Sequence, residues 1–506
     1  MITHDLVYPV IIFLICSVIL WVYIHQICFF IISIYTAKRS MYRKVDQLTV
    51  APGVSVIKPL MGLDSCLKEN LISHFTLDYP KFELLFCVQD ENDAAIPLVN
   101  SLREQYPHVD AQLLIGGTPG IVNPMVHNMA PAYAAAKYEL VWISTSRILA
   151  STPILLDLVR KLEPPDVGMV HQTPFYADQS GFLGALEKVC FGCSISRNQI
   201  ALNQLGIVCF IGMSYVFKKS LLDEVGGLAY YGKYLAEDFF LSNAIHARGY
   251  RLVMSDFPAL QNVATTSIRA YADRMTRWLR LRVRMIPLVA GVLEPLSEAI
   301  TIGLLFALSL NYLFEVRMLY VLLVHFTGWI LLDYTLLRSL QNGRLPFSFP
   351  VFLLAWLSRE LLVYVIFIRA LYNPSVITWG RYSYRVHMGG TTTRIPRSVS
   401  PRRVHKPSVT SDPSGNQKHI MINHSPLLIN HKEMSNGHHH TVINSAGGQN
   451  VSEPVRFKLF PSGDVYHGPV AKYLHKIPFM TKKNGYKYNK LEEPVLSAVS
   501  APQIEA

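Results

Sequence analysis

Three stretches of the chain carry residue types that could do chemistry. In LLFCVQDENDAA an apolar run ends in Asp90, Glu91 and Asp93. Carboxylates at the carboxyl end of a sheet strand can accept hydrogen bonds from a base or ribose, or help hold a hard cation beside phosphates. In YLAEDFFLSNAIHARGYRL, Glu237 and Asp238 open a helix, where the helix dipole favours negative charge. In RMTRWLRLRVRMIP, Arg274, Arg277, Arg280, Arg282 and Arg284 alternate with apolar residues, which describes a cationic helix lying on an anionic leaflet. Arg277 has a sharper option, pairing with phosphate, because a diphosphate leaving group needs its charge neutralised in the transition state. Trp278 could line a sugar or lipid site, or sit at a membrane interface.

These residues need a scaffold, and the pattern between Pro52 and about Ile268 supplies one. Short apolar runs (VSVI, ELLFCV, AQLLI, LVWIS, VGMV) alternate with helix-like stretches such as IPLVNSLREQY and ILLDLVRKL. The alternation predicts an α/β domain over residues 50–268, with a mostly parallel sheet and helices on both faces, whose ligands gather at the carboxyl ends of the strands. GIVCFIGMSYVF is short, broken by glycines and followed by KKSLLDEVGG, so it reads as a buried strand leading into a helix rather than a membrane span.

Membrane segments flank this domain. Half of the 506 residues are hydrophobic and 16% are charged, and the mean hydropathy is +0.25, above that of an ordinary soluble chain. No Asp, Glu, Lys or Arg occurs from Leu6 to Thr36, so residues 1–36 read as an uncleaved anchor, and the Lys38, Arg39, Arg43 and Lys44 that follow put the next domain in the cytosol. Residues 269–289 read as a basic amphipathic interfacial helix. Residues 290–372 hold three further apolar segments. The first has only 16 charge-free residues, Ala299 to Phe314, and is expected to be re-entrant or interfacial; the third carries Arg359 and Glu360 in mid-run, which should face protein or water.

The net charge of +12 could suggest nucleic acid, but from Leu371 onward there are seventeen Lys and Arg against seven Asp and Glu, so the basicity belongs to the tail. No nucleic-acid-binding pattern accompanies it. Residues 391–506, rich in Ser, Pro, Asn, His and Lys, are expected to be mainly disordered. Seven sparse cysteines imply reduced thiols rather than a disulfide framework.

The string of strand, basic pair, helix ending in Gly-Gly, acidic pair and Gly-aromatic turn reads as the acceptor half of a sugar-nucleotide transferase. With it, PGVSVIKPLMGLD, LDYPKFELLFCVQDENDAA, YLAEDFF and RMTRW resemble the ceramide glucosyltransferases, inverting GT-A enzymes that make glucosylceramide on the cytosolic face of the Golgi. The resemblance covers about Leu6 to Gly390. That family has three separated aspartates and a Q/R-x-x-R-W signature. The first aspartate falls on Asp93, the third on Asp238, and the signature on Arg274, Arg277 and Trp278. The second would belong to an Asp-Ser-Gly after LVWIS, where this chain has Thr145, Ser146 and Arg147, and Met125 replaces a family lysine in VNPM.

The resemblance implies transfer of glucose from UDP-glucose to ceramide with inversion, in a multi-pass Golgi protein whose catalytic domain faces the cytosol. It makes Asp238 the general base, Asp93 a ligand of the nucleotide or its metal, Arg277 the stabiliser of the UDP leaving group, and Arg274 and Trp278 residues that shape the site. It also implies a divalent metal, Mg²⁺ or Mn²⁺, although the Thr145 hydroxyl is a poorer ligand for a hard cation than a carboxylate. The implied partners are UDP-glucose, ceramide and membrane lipid, without nucleic acid, and a homo-oligomer is compatible with the sequence. Two alternatives stand beside this reading: a non-catalytic paralogue, suggested by Thr145 and Met125, and a processive polysaccharide synthase, which would need more membrane helices.

Overall fold

The computed structural model describes residues 4–45, 48, 50–265, 267–380 and 382–396. Strands β1 (Val54–Pro59), β2 (Phe82–Val88), β3 (Asp110–Ile115), β4 (Leu140–Ser144), β5 (Val167–His171), β6 (Pro174–Tyr176), β7 (Ser214–Lys218), β8 (Arg251–Met254) and β9 (Ala259–Gln261) form the domain between the anchor and the arginine-rich helix. Seven of them make one sheet, in the order β3-β2-β1-β4-β7-β5-β8. Its pairs are parallel except those of β7, which runs antiparallel to β4 and β5. Every residue of β1 and β4 is buried, Ser55 and Lys58 of β1 included, as strands covered on both faces should be.

Helices cover both faces, as the alternating pattern predicts. Leu67–Phe75, Ala95–Gln105 and Thr152–Leu162 close one core around Val56, Leu84 and Trp142. Pro124–Ala135, Lys219–Glu224 and Glu237–Ala247 close the other around Ile57, Val141 and Tyr215. The run GIVCFIGMSYVF leads into β7 and the helix after it, and does not span a membrane. Because β7 is reversed, its amino end meets the carboxyl end of β4, with Ser144 paired to Ser214. The loops after β1, β2 and β4 and the loop before β7 therefore lie along one edge.

Three helices are long and apolar enough to cross a membrane, Tyr8–Ser40, Met318–Leu340 and Phe349–Tyr372, and the pair Val289–Leu296 and Ala299–Phe314 is bent by 66°. Tyr23 of the anchor stacks on Phe306, and Phe30 meets Trp329 edge-on. The foot of the anchor and the end of Met318–Leu340 meet at the α/β domain: the Tyr42 amide donates to the Asp256 carbonyl and its hydroxyl to the Leu340 carbonyl. Gln341 accepts from Lys188 and donates to Asp178. Phe349–Tyr372 ends against the arginine-rich helix, since Arg369 pairs with Asp273 and Arg280 donates to the carbonyls of Arg369 and Val376. One face of this helix exposes Leu353, Leu357, Leu361, Val365 and Ile368. Arg359 and Glu360 face protein as expected, with Arg359 paired to Glu298 and to Glu360.

After this helix come β10 (Val376–Trp379), β11 (Tyr382–Val386) and β12 (Thr392–Ile395), an antiparallel sheet. It packs Ile377, Tyr384 and Val386 against Leu235, Leu281 and Met285, and Thr391 bridges to Tyr234. Composition assigns the tail a start at residue 391; the structure moves that boundary beyond β12, because Thr392 and Thr393 pair across β11 with Val386 and Arg385. The remainder of the expected disordered tail, from residue 397, lies outside the described residues.

Candidate functional site

Asp238 sits in the first turn of helix Glu237–Ala247. Its Oδ2 accepts from the Gly212 amide at 2.7 Å and its Oδ1 from the Phe239 amide at 2.9 Å. A Cβ on Gly212 would fall on the Asp238 side chain, so only glycine allows this approach. Burial raises the Asp238 carboxyl above the ordinary carboxylate range, and the two amides oppose the shift. Glu237 is buried. One of its oxygens accepts from Asn123 at 2.5 Å, and the other is without a partner. Burial first, and then the Asp238 charge, push Glu237 up to about 8. Both carboxyls are raised by burial, and Asp238, whose two oxygens each accept from an amide, is the better placed of the two to carry the negative charge.

The raised Glu237 carboxyl bears on stability. The folded chain holds a proton on Glu237 that the unfolded chain releases near 4.5, so its contribution is fully present below 4.5 and is lost as pH rises through about 8. Glu237→Gln, which mimics the protonated form, is expected to flatten this loss. Its thermal inactivation midpoint should fall less than that of the wild type on going from about pH 5 to about pH 8.5, with a difference of about 1 kcal/mol or more. Parallel curves for the two proteins would refute a buried neutral Glu237.

The loop Thr145–Ser146–Arg147 is held by its backbone. The Thr145 carbonyl accepts from Lys58 Nζ at 3.1 Å, the Ser146 carbonyl from Asn70 at 3.1 Å, and the Arg147 carbonyl from the Asn262 amide at 2.7 Å. The Thr145 amide donates to Met213, the neighbour of Gly212, which places this loop beside Asp238. Lys58 is fully buried and also meets His74 Nε2 at 3.3 Å. Burial holds both groups well below their ordinary values, and the Lys58 amine props the loop through the Thr145 carbonyl.

Asp93 makes its hydrogen bonds elsewhere. Its two oxygens accept from the Gly62 amide at 2.9 and 3.0 Å, and Oδ1 also accepts from the Ala95 amide. Asp93 thereby ties the loop after β2 to the loop after β1, where Gly62 has φ +67. Among the described residues, no hydrogen bond or ion pair joins it to Asp238 or to an arginine.

Helix Ile268–Met285 carries the signature. Arg274 pairs with buried Glu187. Arg280 donates to two carbonyls, Arg282 makes a two-pronged pair with Glu294 at 2.9 Å, and Arg284 donates to the Val386 carbonyl. These four arginines are each engaged by a protein group. Arg277 differs, since its guanidinium lies over the Trp379 ring at 5.3 Å and meets no carboxylate. Burial, then Arg147, then Arg274 push Arg277 down to about 10. Trp278 packs edge-on against Phe191 at 6.1 Å, in the wall beneath the helix. Sequence reasoning missed Trp379, Asn123, Gly212 and Lys58; only the alternation of VITW and YSYRV around Gly380 signalled the first.

The donor set fits a divalent cation poorly. Position 145 offers a hydroxyl and position 147 an arginine, both Asp93 oxygens already accept from amides, and among the described residues no three His, Cys, Asp or Glu side chains gather to hold a metal.

Residues 18–392 match Glycosyl transferase family 21. Ceramide glucosyltransferases 3 and 1 of Caenorhabditis elegans are each 40% identical to the chain, over 372 and 384 residues, covering 73% and 74% of it and 81% of each relative. The ceramide glucosyltransferase of Komagataella phaffii is 27% identical over 436 residues, covering 69% of the chain and 85% of the relative. A solved structure of the mannosyltransferase PcManGT from Pyrobaculum calidifontis, in complex with GDP-Man and Mn²⁺, has a TM-score of 0.40 and 18% identity over 71% of this chain and 98% of that one. The family match runs from the anchor through the sheet, the acidic pair and the arginine helix to the first residue of β12, and the chain belongs to glycosyl transferase family 21.

Proposed function

We propose that this chain transfers glucose from UDP-glucose to the primary hydroxyl of ceramide, with inversion at the anomeric carbon. The observation that carries the reading is Asp238, an amide-cradled carboxylate at the edge where β4 ends and β7 begins, in a chain 40% identical to two ceramide glucosyltransferases. Asp238 takes the proton as the acceptor oxygen attacks the anomeric carbon. The bond from that carbon to the β-phosphate oxygen breaks, and Arg277 meets the charge left on UDP. Arg274, anchored by Glu187, and Trp278, packed on Phe191, hold Arg277 in place. Asp93 fixes the floor of the donor site by clamping the loop after β1. The test is an assay of purified protein with labelled UDP-sugars and short-chain ceramide, with and without Mg²⁺ or Mn²⁺. Glucosylceramide from UDP-glucose alone is the expected product; transfer from another UDP-sugar, or ceramide binding without transfer, would overturn the reading.

The membrane arrangement suits a water-soluble donor and an acceptor that stays in the bilayer. We place the catalytic domain in the cytosol, on a Golgi membrane. The carboxyl end of Phe349–Tyr372 meets the arginine helix and its Leu353–Leu357–Leu361 face is exposed, so we place this helix along the membrane with that face toward lipid. The excursion into the bilayer and back is made by Ala299–Phe314 and Met318–Leu340 together. The sequence gives the non-crossing role to the first of these segments; the contacts at Asp273, Arg280 and Gln341 favour the third. Either arrangement returns the chain to the cytosol before the tail. Asn423-His-Ser and Asn450-Val-Ser should therefore remain unglycosylated. A glycosidase-sensitive mass shift that disappears in Asn423→Gln, Asn450→Gln would put the tail in the lumen and reject this topology.

A further inference from the structure

The loop after β4 is fixed by all three of its carbonyls, and what it presents is Arg147. The Arg147 side chain is partly buried and, among the described residues, makes no hydrogen bond or ion pair. A chain of contacts leads from it to the arginine helix. Its carbonyl accepts from Asn262. Beyond Asn262, the Val263 carbonyl accepts from the Tyr176 hydroxyl, Thr265 donates to Glu187, and Glu187 pairs with Arg274. Arg277 lies one turn further along that helix. The Arg147 charge acts against Arg277 and the Arg274 charge against both, while Asp64 and Glu187 favour the charge on Arg147 without pairing with it.

The charges here do not balance. Arg274 is matched by Glu187, whereas among the described residues Arg147 and Arg277 make no ion pair with a carboxylate. Two partly buried guanidinium groups that no carboxylate pairs with are unfavourable in the free protein and become favourable when a dianion enters between them. This excess stands where the resemblance expects an aspartate to hold a metal, and where Thr145 offers only a hydroxyl.

We propose that Arg147, together with Arg277, supplies the positive charge against the donor's diphosphate, so that donor binding and transfer need no divalent cation. The proposal rests on the reading that the donor is a nucleoside diphosphate sugar. In the reaction the acceptor oxygen bonds to the anomeric carbon and its proton passes to Asp238. The bond to the β-phosphate oxygen breaks with its electron pair going to that oxygen, and the two guanidinium groups meet the new charge there. A bidentate fork on each side of the diphosphate takes the place of a metal bridge.

The experiment measures binding of UDP, GDP and UMP to the full-length protein in nanodiscs, in EDTA and then in Mn²⁺, for the wild type, Arg147→Ala, and Thr145→Asp combined with Arg147→Gly. Wild-type affinity for UDP should change by less than about threefold between EDTA and Mn²⁺. Arg147→Ala should weaken UDP by about 10- to 100-fold, the worth of a charge-assisted pair, while UMP binding and the melting temperature stay near those of the wild type. The double variant should bind UDP tightly only with Mn²⁺. A tenfold loss of wild-type UDP binding in EDTA would overturn the proposal. So would an unchanged preference for UDP over UMP in Arg147→Ala, which would leave the UDP-glucose reading standing. Equal, Arg147-dependent binding of GDP and UDP would sink that reading and leave the arginine site intact.

Discussion

Replacing Asp238 with Asn is expected to lower kcat at least about 10²-fold, the low end of what removing a general base costs. The substitution barely changes volume. It does change the hydrogen bonding, because Asp238 accepts from two amides, Gly212 and Phe239, and Asn has one acceptor oxygen. One amide is then left to a weaker partner, at a cost of about 1 kcal/mol, too little to unfold the domain. Membrane insertion and UDP binding should therefore survive while transfer is lost. Because burial raises the Asp238 carboxyl, the acid limb of the wild-type pH profile should lie above the ordinary carboxylate range, with activity falling as pH drops through it. Gly212→Ala gives an independent check, since its methyl would displace the carboxylate without touching the charge. Activity of Asp238→Asn within threefold of the wild type would move the base elsewhere.

Much of the catalytic fold is readable from the sequence because its central strands are buried on both faces. VSVI, ELLFCV and LVWIS are continuous apolar runs, and each is a strand of the sheet. The direction of β7 is not readable, since a short buried strand looks the same either way round; its reversal depends on pairing with β4 and β5. The C-terminal sheet was accessible and is easy to overlook. VITW and YSYRV alternate with period two around a two-residue connection that begins with Gly380, where φ is +59. Its position after an apolar helix and before a basic, polar tail hides it.

The site divides in the same way. Asp93, Asp238 and the arginine signature stand out by residue type, and the structure gives them different surroundings. Asp238 meets Gly212, and Asp93 meets Gly62. The alternating arginines suggest a lipid-facing helix because local periodicity does not reveal partners such as Glu187, Glu294 and the carbonyls of Arg369, Val376 and Val386. The fixing of Arg147 depends on Asn70 and Asn262, which bond to each other from 192 residues apart. Only a departure from the family pattern at Thr145 marks that loop in the sequence, and a departure reports what is missing without showing what replaces it.

Arg277→Ala is expected to reduce kcat by about 10²- to 10³-fold, the range for removing one preorganised group from a developing anion. Of Arg274, Arg277, Arg280, Arg282 and Arg284, Arg277 is the one whose guanidinium has neither a carboxylate nor a carbonyl partner among the described residues, and it lies over Trp379. Its charge is therefore available to a ligand, and truncation leaves no other protein group unpaired. Arg277→Lys should recover part of the loss, because an ammonium keeps the charge but not the planar fork or the stacking on tryptophan. Trp379→Ala should cost less, about tenfold, because it loosens the guanidinium without removing it. A purely structural role for Arg277 predicts equal losses for every donor. Charge neutralisation predicts a smaller loss for a glucosyl donor whose leaving group is the weaker base, since less negative charge then has to be met as the bond breaks. Equal losses across such donors, or an Arg277→Ala protein within threefold of the wild type, would remove Arg277 from the leaving-group site and return the role to Arg147 alone.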